Sequence, residues 1–216
     1  FLLAMALGVV LGNVLQGIPL NQQMIYEGNG LDFINPFAIL VGISILSLFT
    51  VHGSNYLLLK TEGRLYAKLT KLNRSWTIAF VFSFILTSLY ALIYIPHLSD
   101  RISGNPEYFI LPLLVFLSIA NMVRLNKKKN YRWSFVFSGL TITFSLILVA
   151  VELYPTLLYN SALPEQSITI YNAAASDKSL TIMLTIASIG APLAALYSGF
   201  VFYTFRGKVE LDENSY

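Results

Sequence analysis

The sequence predicts an all-α, polytopic membrane helix bundle, and three observations carry that prediction. Hydrophobic residues make up 56% of the 216-residue chain and charged residues only 12%, about half the charged share of an ordinary soluble domain. Six stretches are apolar over close to the ~20 residues that a helix needs to cross the hydrocarbon core at about 1.5 Å per residue. Lys and Arg gather in alternate connections between those stretches, the pattern of a chain that crosses a membrane repeatedly.

The spans are expected at about 1–17, 35–59, 76–96, 106–125, 133–154 and 179–205. The first is a few residues short. Phe1 opens the chain without Met and already inside an apolar run, so a longer parent chain lacking its N-terminal part here is the expectation. Asn35-Pro36 and Asn105-Pro106 each place an amide at a helix N-cap and proline at the first helical position, and Asp177 is expected to cap the last span. The segment 63–72 sets Leu65, Leu69 and Leu72 at helical spacing among cations, which suits a surface helix or a prolongation of the second span. Residues 1–205 therefore read as one transmembrane domain, followed by a tail at 206–216.

Orientation follows from the cations. Lys60, Arg64, Lys68, Lys71 and Arg74 follow the second span, Arg124, Lys127, Lys128, Lys129 and Arg132 follow the fourth, and Arg206 and Lys208 lie in the tail. The opposite connections carry only Arg101 and Lys178, with Glu27, Asp32, Asp100, Glu165 and Asp177. The positive-inside rule then places the cationic loops and the C-terminus in the cytoplasm, and loops 18–34, 97–105 and 155–178 outside. Trp76, Tyr94, Trp133, Tyr154 and Tyr203 fall near span ends, where amphipathic rings favour the headgroup layer.

Small and polar residues inside the spans are the other signal, because helices in lipid associate by close packing and hydrogen bonds. Ala4, Gly8 and Gly12 form one ridge, and Ala187, Ala191, Ala195 and Gly199 form another; each predicts a tight helix contact, within this chain by preference or with a separate subunit. Pro192 should bend the last span. Asn13 and Gln16 share a helical face beside the first ridge. They are read as bridges to a neighbouring helix or to the loop from Ile18, with the lining of a quinone, lipid or water cavity as the sharper alternative. His52, with Ser54 and Asn55 beside it, sits in the cytoplasmic third of the second span. An intramembrane histidine suggests a haem ligand, a proton relay or a pore-lining group; a neutral, hydrogen-bonded packing residue is the simpler reading. His97 belongs at the outer boundary, so the two histidines cannot ligate one haem together. Glu152 is placed to snorkel at the outer end of the fifth span.

Several function classes fall away. The chain has no cysteine, which removes disulfides, thiolate metal sites, iron–sulfur ligation and covalent haem attachment. No P-loop, Rossmann glycine pattern, His-Glu-x-x-His or paired nucleophile and base is present, so no catalytic, cofactor-binding or metal-ligating residue is assigned. The net charge of +3 resides in short loops and does not point to nucleic acid.

Seven segments in order, "GNVLQGIPL", "NPFAILVGI", "HGSNYLLLKTEG", "SWTIAFVFS", "RWSFVFSGLTI", "SITIYNAAASDKSLTIML" and "YSGFVFYTFRGKV", resemble subunit II of the cytochrome bd-type quinol oxidases. The resemblance covers nearly the whole chain. It implies a non-haem subunit of a bacterial respiratory complex in the inner membrane, which oxidises quinol, reduces dioxygen to water and builds a proton gradient. It implies a heterodimer with the subunit I that carries haem b and haem d, leaves open a small accessory subunit, and names membrane lipid and quinone as further contacts. Members of about nine spans would make these six the C-terminal two thirds, and the acidic proton-path residues of the first helices have no counterpart here. Some members have Gln where His52 stands, which argues against a haem ligand or obligatory proton carrier. The family often has a second proline where Tyr159 stands, so the outer loop is expected to differ in shape. A multi-pass secondary transporter fragment is the alternative, although transporters favour broken helices and charges near the midplane.

Overall fold

The structure, a computed structural model, describes residues 1–26, 28–98, 104 and 106–207. The expectations for Glu27, Asp100, Arg101, Asn105, Lys208 and the tail beyond residue 207 lie outside the described residues. Six long helices follow in order: α1 (Leu2–Gln16), α2 (Pro36–Lys60), α3 (Gly63–Tyr94), α4 (Ile110–Lys127), α5 (Tyr131–Leu153) and α6 (Asp177–Thr204). A 3-10 turn, Pro106–Phe109, leads into α4. Five helical segments are long and apolar enough to span a membrane, while α1, with 15 residues, is shorter.

Helix boundaries follow local chemistry. Asn35 caps α2 with its Oδ1, which accepts the Ala38 amide proton at 2.8 Å, and Pro36 occupies the first turn. The last helix corrects an expectation: Ser176 is the N-cap, its Oγ accepting from the Ser179 amide at 3.5 Å, and Asp177 is the first helical residue. There its carboxylate suits the positive end of the helix dipole. Segment 63–72 also departs from the reading. It prolongs the third span, not the second, because α2 stops at Lys60 and Gly63 takes φ +60 before α3 begins.

Helix α2 is the centre of the bundle, packed on α1, α3 and α5, with α4 against α5. The α1–α2 contact is backbone to backbone. A Cβ on Gly8 would lie 2.6 Å from Gly42 Cα, and one on Gly12 would lie 2.6 Å from Ala38 Cα. The first small-residue ridge therefore meets a second one on α2. Apolar side chains fill in three clusters: Leu15, Phe37, Val41 and Ile95 near the start of α2, Leu48, Val51, Phe80, Val115, Ile119 and Met122 in the middle, and Leu58, Leu69 and Tyr131 near its end. The second ridge behaves differently. Ala187, Ala191, Ala195 and Gly199 are exposed, as is nearly all of α6, and Pro192 lies inside that helix. Among the described contacts, Phe202 meets Tyr56 edge to face at 5.9 Å, and Lys60 Nζ donates to the Phe205 carbonyl.

After α5, β1 (Thr156–Leu158) pairs antiparallel with β2 (Ile168–Thr169). Ile18 bridges to Asn160, which joins this loop to the one leaving α1.

Candidate functional site

The intramembrane polar residues singled out from the sequence fall into two separate groups, one at each end of the bundle. At the end of the bundle where α1 stops and α2 starts, Asn13 projects from the ridge face of α1. Its Nδ2 donates to the carbonyls of Val9 and Phe33, both at 2.8 Å, and its Oδ1 accepts from Asn35 Nδ2 at 2.9 Å. Asn35 spends its own oxygen on the α2 cap. A buried amide costs free energy unless its donors and acceptor are all met, and here the two amides meet each other's needs.

Gln16 is half-buried on the same face. Its Oε1 is shielded from solvent and has no hydrogen-bond partner among the described residues. Both amides line a cavity of about 450 Å³ that also takes in Asp32, Tyr94, His97 and Tyr159. His97 Nε2 donates to the Leu15 carbonyl at 2.9 Å, and its ring stacks on Tyr159 at 4.0 Å. The hydroxyl of Tyr26 lies 3.0 Å from Asp32 Oδ2; lost hydration, that hydrogen bond and the carboxylate's charge hold its pKa above the ordinary tyrosine value.

Sequence reasoning missed the residue that ties this mouth together. Asn160 is fully buried: its Oδ1 accepts from the amides of Leu20, Ala162 and Leu163, and its Nδ2 donates to the Leu20 carbonyl at 3.0 Å. An asparagine in a loop carries no periodic signal, and only its place in "YNS", a turn-forming run, hints at it.

At the other end, His52 and Asn55 lie among hydroxyls and amides from four helices. Asn55 Nδ2 donates to Ser134 Oγ at 3.1 Å and its Oδ1 accepts from Asn73 Nδ2 at 2.8 Å. Ser134 Oγ donates to Asn126 Oδ1 at 2.6 Å, and Asn126 Nδ2 to Thr77 Oγ1 at 3.1 Å. This chain of bonds runs from α2 to α5, α4 and α3. His52 is one turn deeper. Its Nδ1 lies 2.8 Å from Ser138 Oγ, and its ring stacks on Phe135 at 4.4 Å. Ser138 gives its proton to the Phe135 carbonyl at 2.8 Å, so the network assigns the proton of the His–Ser bond to Nδ1. Asn73, Asn126 and Ser134 were not singled out, because 61 residues of sequence separate them and no single helix reveals the cluster.

Glu152 is half-buried near the C-terminal end of α5. Trp133, Tyr94, Tyr154 and Tyr203 are exposed at helix ends, and Trp76 stacks on Phe1 at 6.4 Å.

Apolar helices of spanning length, clasped inside by amides and hydroxyls, define an integral membrane protein. A family model described as cytochrome bd terminal oxidase subunit II matches residues 1–205, and the chain belongs to that family. It is 27% identical over 248 residues to the probable cytochrome oxidase subunit 2 of Haemophilus influenzae, covering 100% of this chain and 66% of that protein. It is 23% identical over 250 residues to the cytochrome bd-I ubiquinol oxidase subunit 2 of Escherichia coli K12, covering 99% and 64%. The chain thus spans just under two thirds of the length of these relatives. In fold it is similar to a chain of the bd oxidase from Geobacillus thermodenitrificans, with TM-score 0.71 and 16% identity over 95% of this chain and 62% of that one.

Proposed function

We propose that the chain serves as the non-haem subunit II of a bacterial cytochrome bd-type quinol oxidase. There it supports a haem-bearing subunit I that oxidises quinol, reduces dioxygen to water and contributes to the proton gradient. The observation that carries this reading is the family match, which runs through every described helix from residue 1 to residue 205. In this reading the protein resides in the inner membrane with the cationic loops and C-terminus in the cytoplasm.

The two histidines lie in separate groups at opposite ends of the bundle, so they do not ligate one haem between them. His52 has one ring face on Phe135 and one nitrogen at Ser138, while His97 has a face on Tyr159 and Nε2 at Leu15. No step of the chemistry is assigned to this chain, and haem b and haem d are placed on the partner because the family resemblance implies it. What its own residues supply is a rigid frame: Asn13 joins α1 to the start of α2, and the Asn55 network holds four helices in register. Gln16 keeps an acceptor at the outer cavity for water, lipid or quinone.

The test is purification of the tagged full-length protein from its native membrane in mild detergent. A reduced-minus-oxidised spectrum and quinol-dependent oxygen consumption are then recorded. Haem b and haem d bands with a larger co-purifying subunit are expected. A colourless preparation without a partner, under conditions that preserve a control oxidase, would overturn the reading.

A further inference from the structure

Between the cytoplasmic ends of α3 and α4 lies a cleft of about 580 Å³ whose lining changes character along its depth. Thr70, Arg74, Thr77 and Ile78 fall on one stripe of α3, at the spacing that keeps side chains on a common helix face. Val123 and Lys127 do the same on α4, one turn apart. The Asn126–Thr77 hydrogen bond, 3.1 Å long, closes the floor. Lys129 stands at the mouth, turned back by a left-handed residue conformation, φ +56.

Charge and exposure say what the cleft suits. Arg74, Lys127 and Lys129 are all exposed, and among the described residues no carboxylate lines the cleft. One turn deeper, Ile78 is 63% exposed and Val123 half-buried, an apolar wall beneath a cationic rim. Loops alone would satisfy topology with cations pointing anywhere. Here cations from both helices and the turn after α4 converge on one polar-floored recess that continues into an apolar groove. Basic pockets between membrane helices on the cytoplasmic side take anionic headgroups, and Arg pairs well with phosphate oxygens.

We propose that this cleft holds the phosphate headgroup of an anionic phospholipid, with an acyl chain along Ile78 and Val123. The lipid fills the cleft above the Asn126–Thr77 contact.

The full-length protein, purified in mild detergent with its co-purifying partner and then delipidated, is titrated with phosphatidylglycerol, phosphatidylcholine or inorganic phosphate and read by native mass spectrometry. Phosphatidylglycerol should bind more tightly than phosphatidylcholine, and millimolar phosphate should not displace it. Arg74→Gln with Lys127→Gln should weaken phosphatidylglycerol about fivefold per cation removed, about twenty-fivefold together. Lys71→Gln, on the same helix but outside the cleft, should leave binding unchanged. Because the substituted heads are exposed, the melting temperature should hold, so a loss of lipid is not a loss of fold. Equal binding of the two lipids, an unaltered double variant, an equal loss in Lys71→Gln or displacement by phosphate would each overturn the proposal.

Discussion

Asn13 on α1 and Asn35 at the start of α2 are held amide to amide at 2.9 Å, and Asn35 Nδ2 also donates to the Asp32 carbonyl at 3.3 Å. Asn13 also holds the Phe33 carbonyl, so one side chain fixes both the helix pair and the loop that joins it.

Replacing Asn13 by Leu removes two donors and an acceptor from a buried position. The expected cost is about 1–3 kcal/mol, the price of stranding buried polar groups. A double-mutant cycle with Asn35→Ala should show a coupling of about 0.6–1.7 kcal/mol, the range for interhelical hydrogen bonds in lipid. Thermal unfolding in detergent measures both, and strict additivity would mean that the 2.9 Å contact carries no coupling.

Gly8→Ala should be destabilising although alanine is the better helix former by about 1 kcal/mol. The new methyl would sit 2.6 Å from Gly42 Cα, against backbone that cannot rotate away. Gly199→Ala, where nothing lies within 4 Å, is the matched control. A fall in the melting temperature of the first variant and not the second is expected; equal behaviour would contradict the tight α1–α2 contact.

His52→Gln should retain wild-type haem spectrum and turnover in the assembled protein, since an amide N–H can replace Nδ1–H toward Ser138. His52→Leu removes the donor to Ser138 Oγ, whose own proton stays on the Phe135 carbonyl, and should cost about 1 kcal/mol of stability, again without loss of haem. Disappearance of a haem band in either variant would reassign the residue.

Asn160→Ala removes one donor and an oxygen that accepts three backbone amides in the loops after α1 and α5. Limited proteolysis from the outer face should cut the loops near residues 18–34 and 155–178 faster, while the helices stay protected. Unchanged cleavage would show that β1, β2 and the Ile18 bridge suffice to hold the loops.

Much of this architecture is legible in the sequence, for identifiable reasons. Apolar runs locate the helices because lipid demands length, and Asn35-Pro36 marks its boundary because cap and proline act locally. The Gly8–Gly12 ridge announces a close contact, but its partner, Ala38 and Gly42, becomes visible only when α2 folds back. The extent of α3 is hidden for a different reason. Arg64, Lys68 and Lys71 read as a loop in a charge count, yet Lys and Arg are good helix formers and prolong α3 to Gly63. The Asn55 network is least legible, since its members come from four helices and no spacing rule links residues 55, 73, 126 and 134.

That unbroken α3 has a mechanical meaning. Its 32 residues make a rod of about 48 Å, against a hydrocarbon core of about 30 Å. After Gly63 it contains neither glycine nor proline, so nothing along it serves as a hinge. Asn73 is gripped by Ser54 and Asn55 part of the way along it, and Thr87 Oγ1 lies 3.2 Å from Ser44 Oγ further on. The Lys- and Arg-rich end of α3 and Tyr94, at the wall of the cavity beside Asn13 and Gln16, therefore belong to one unbroken rod.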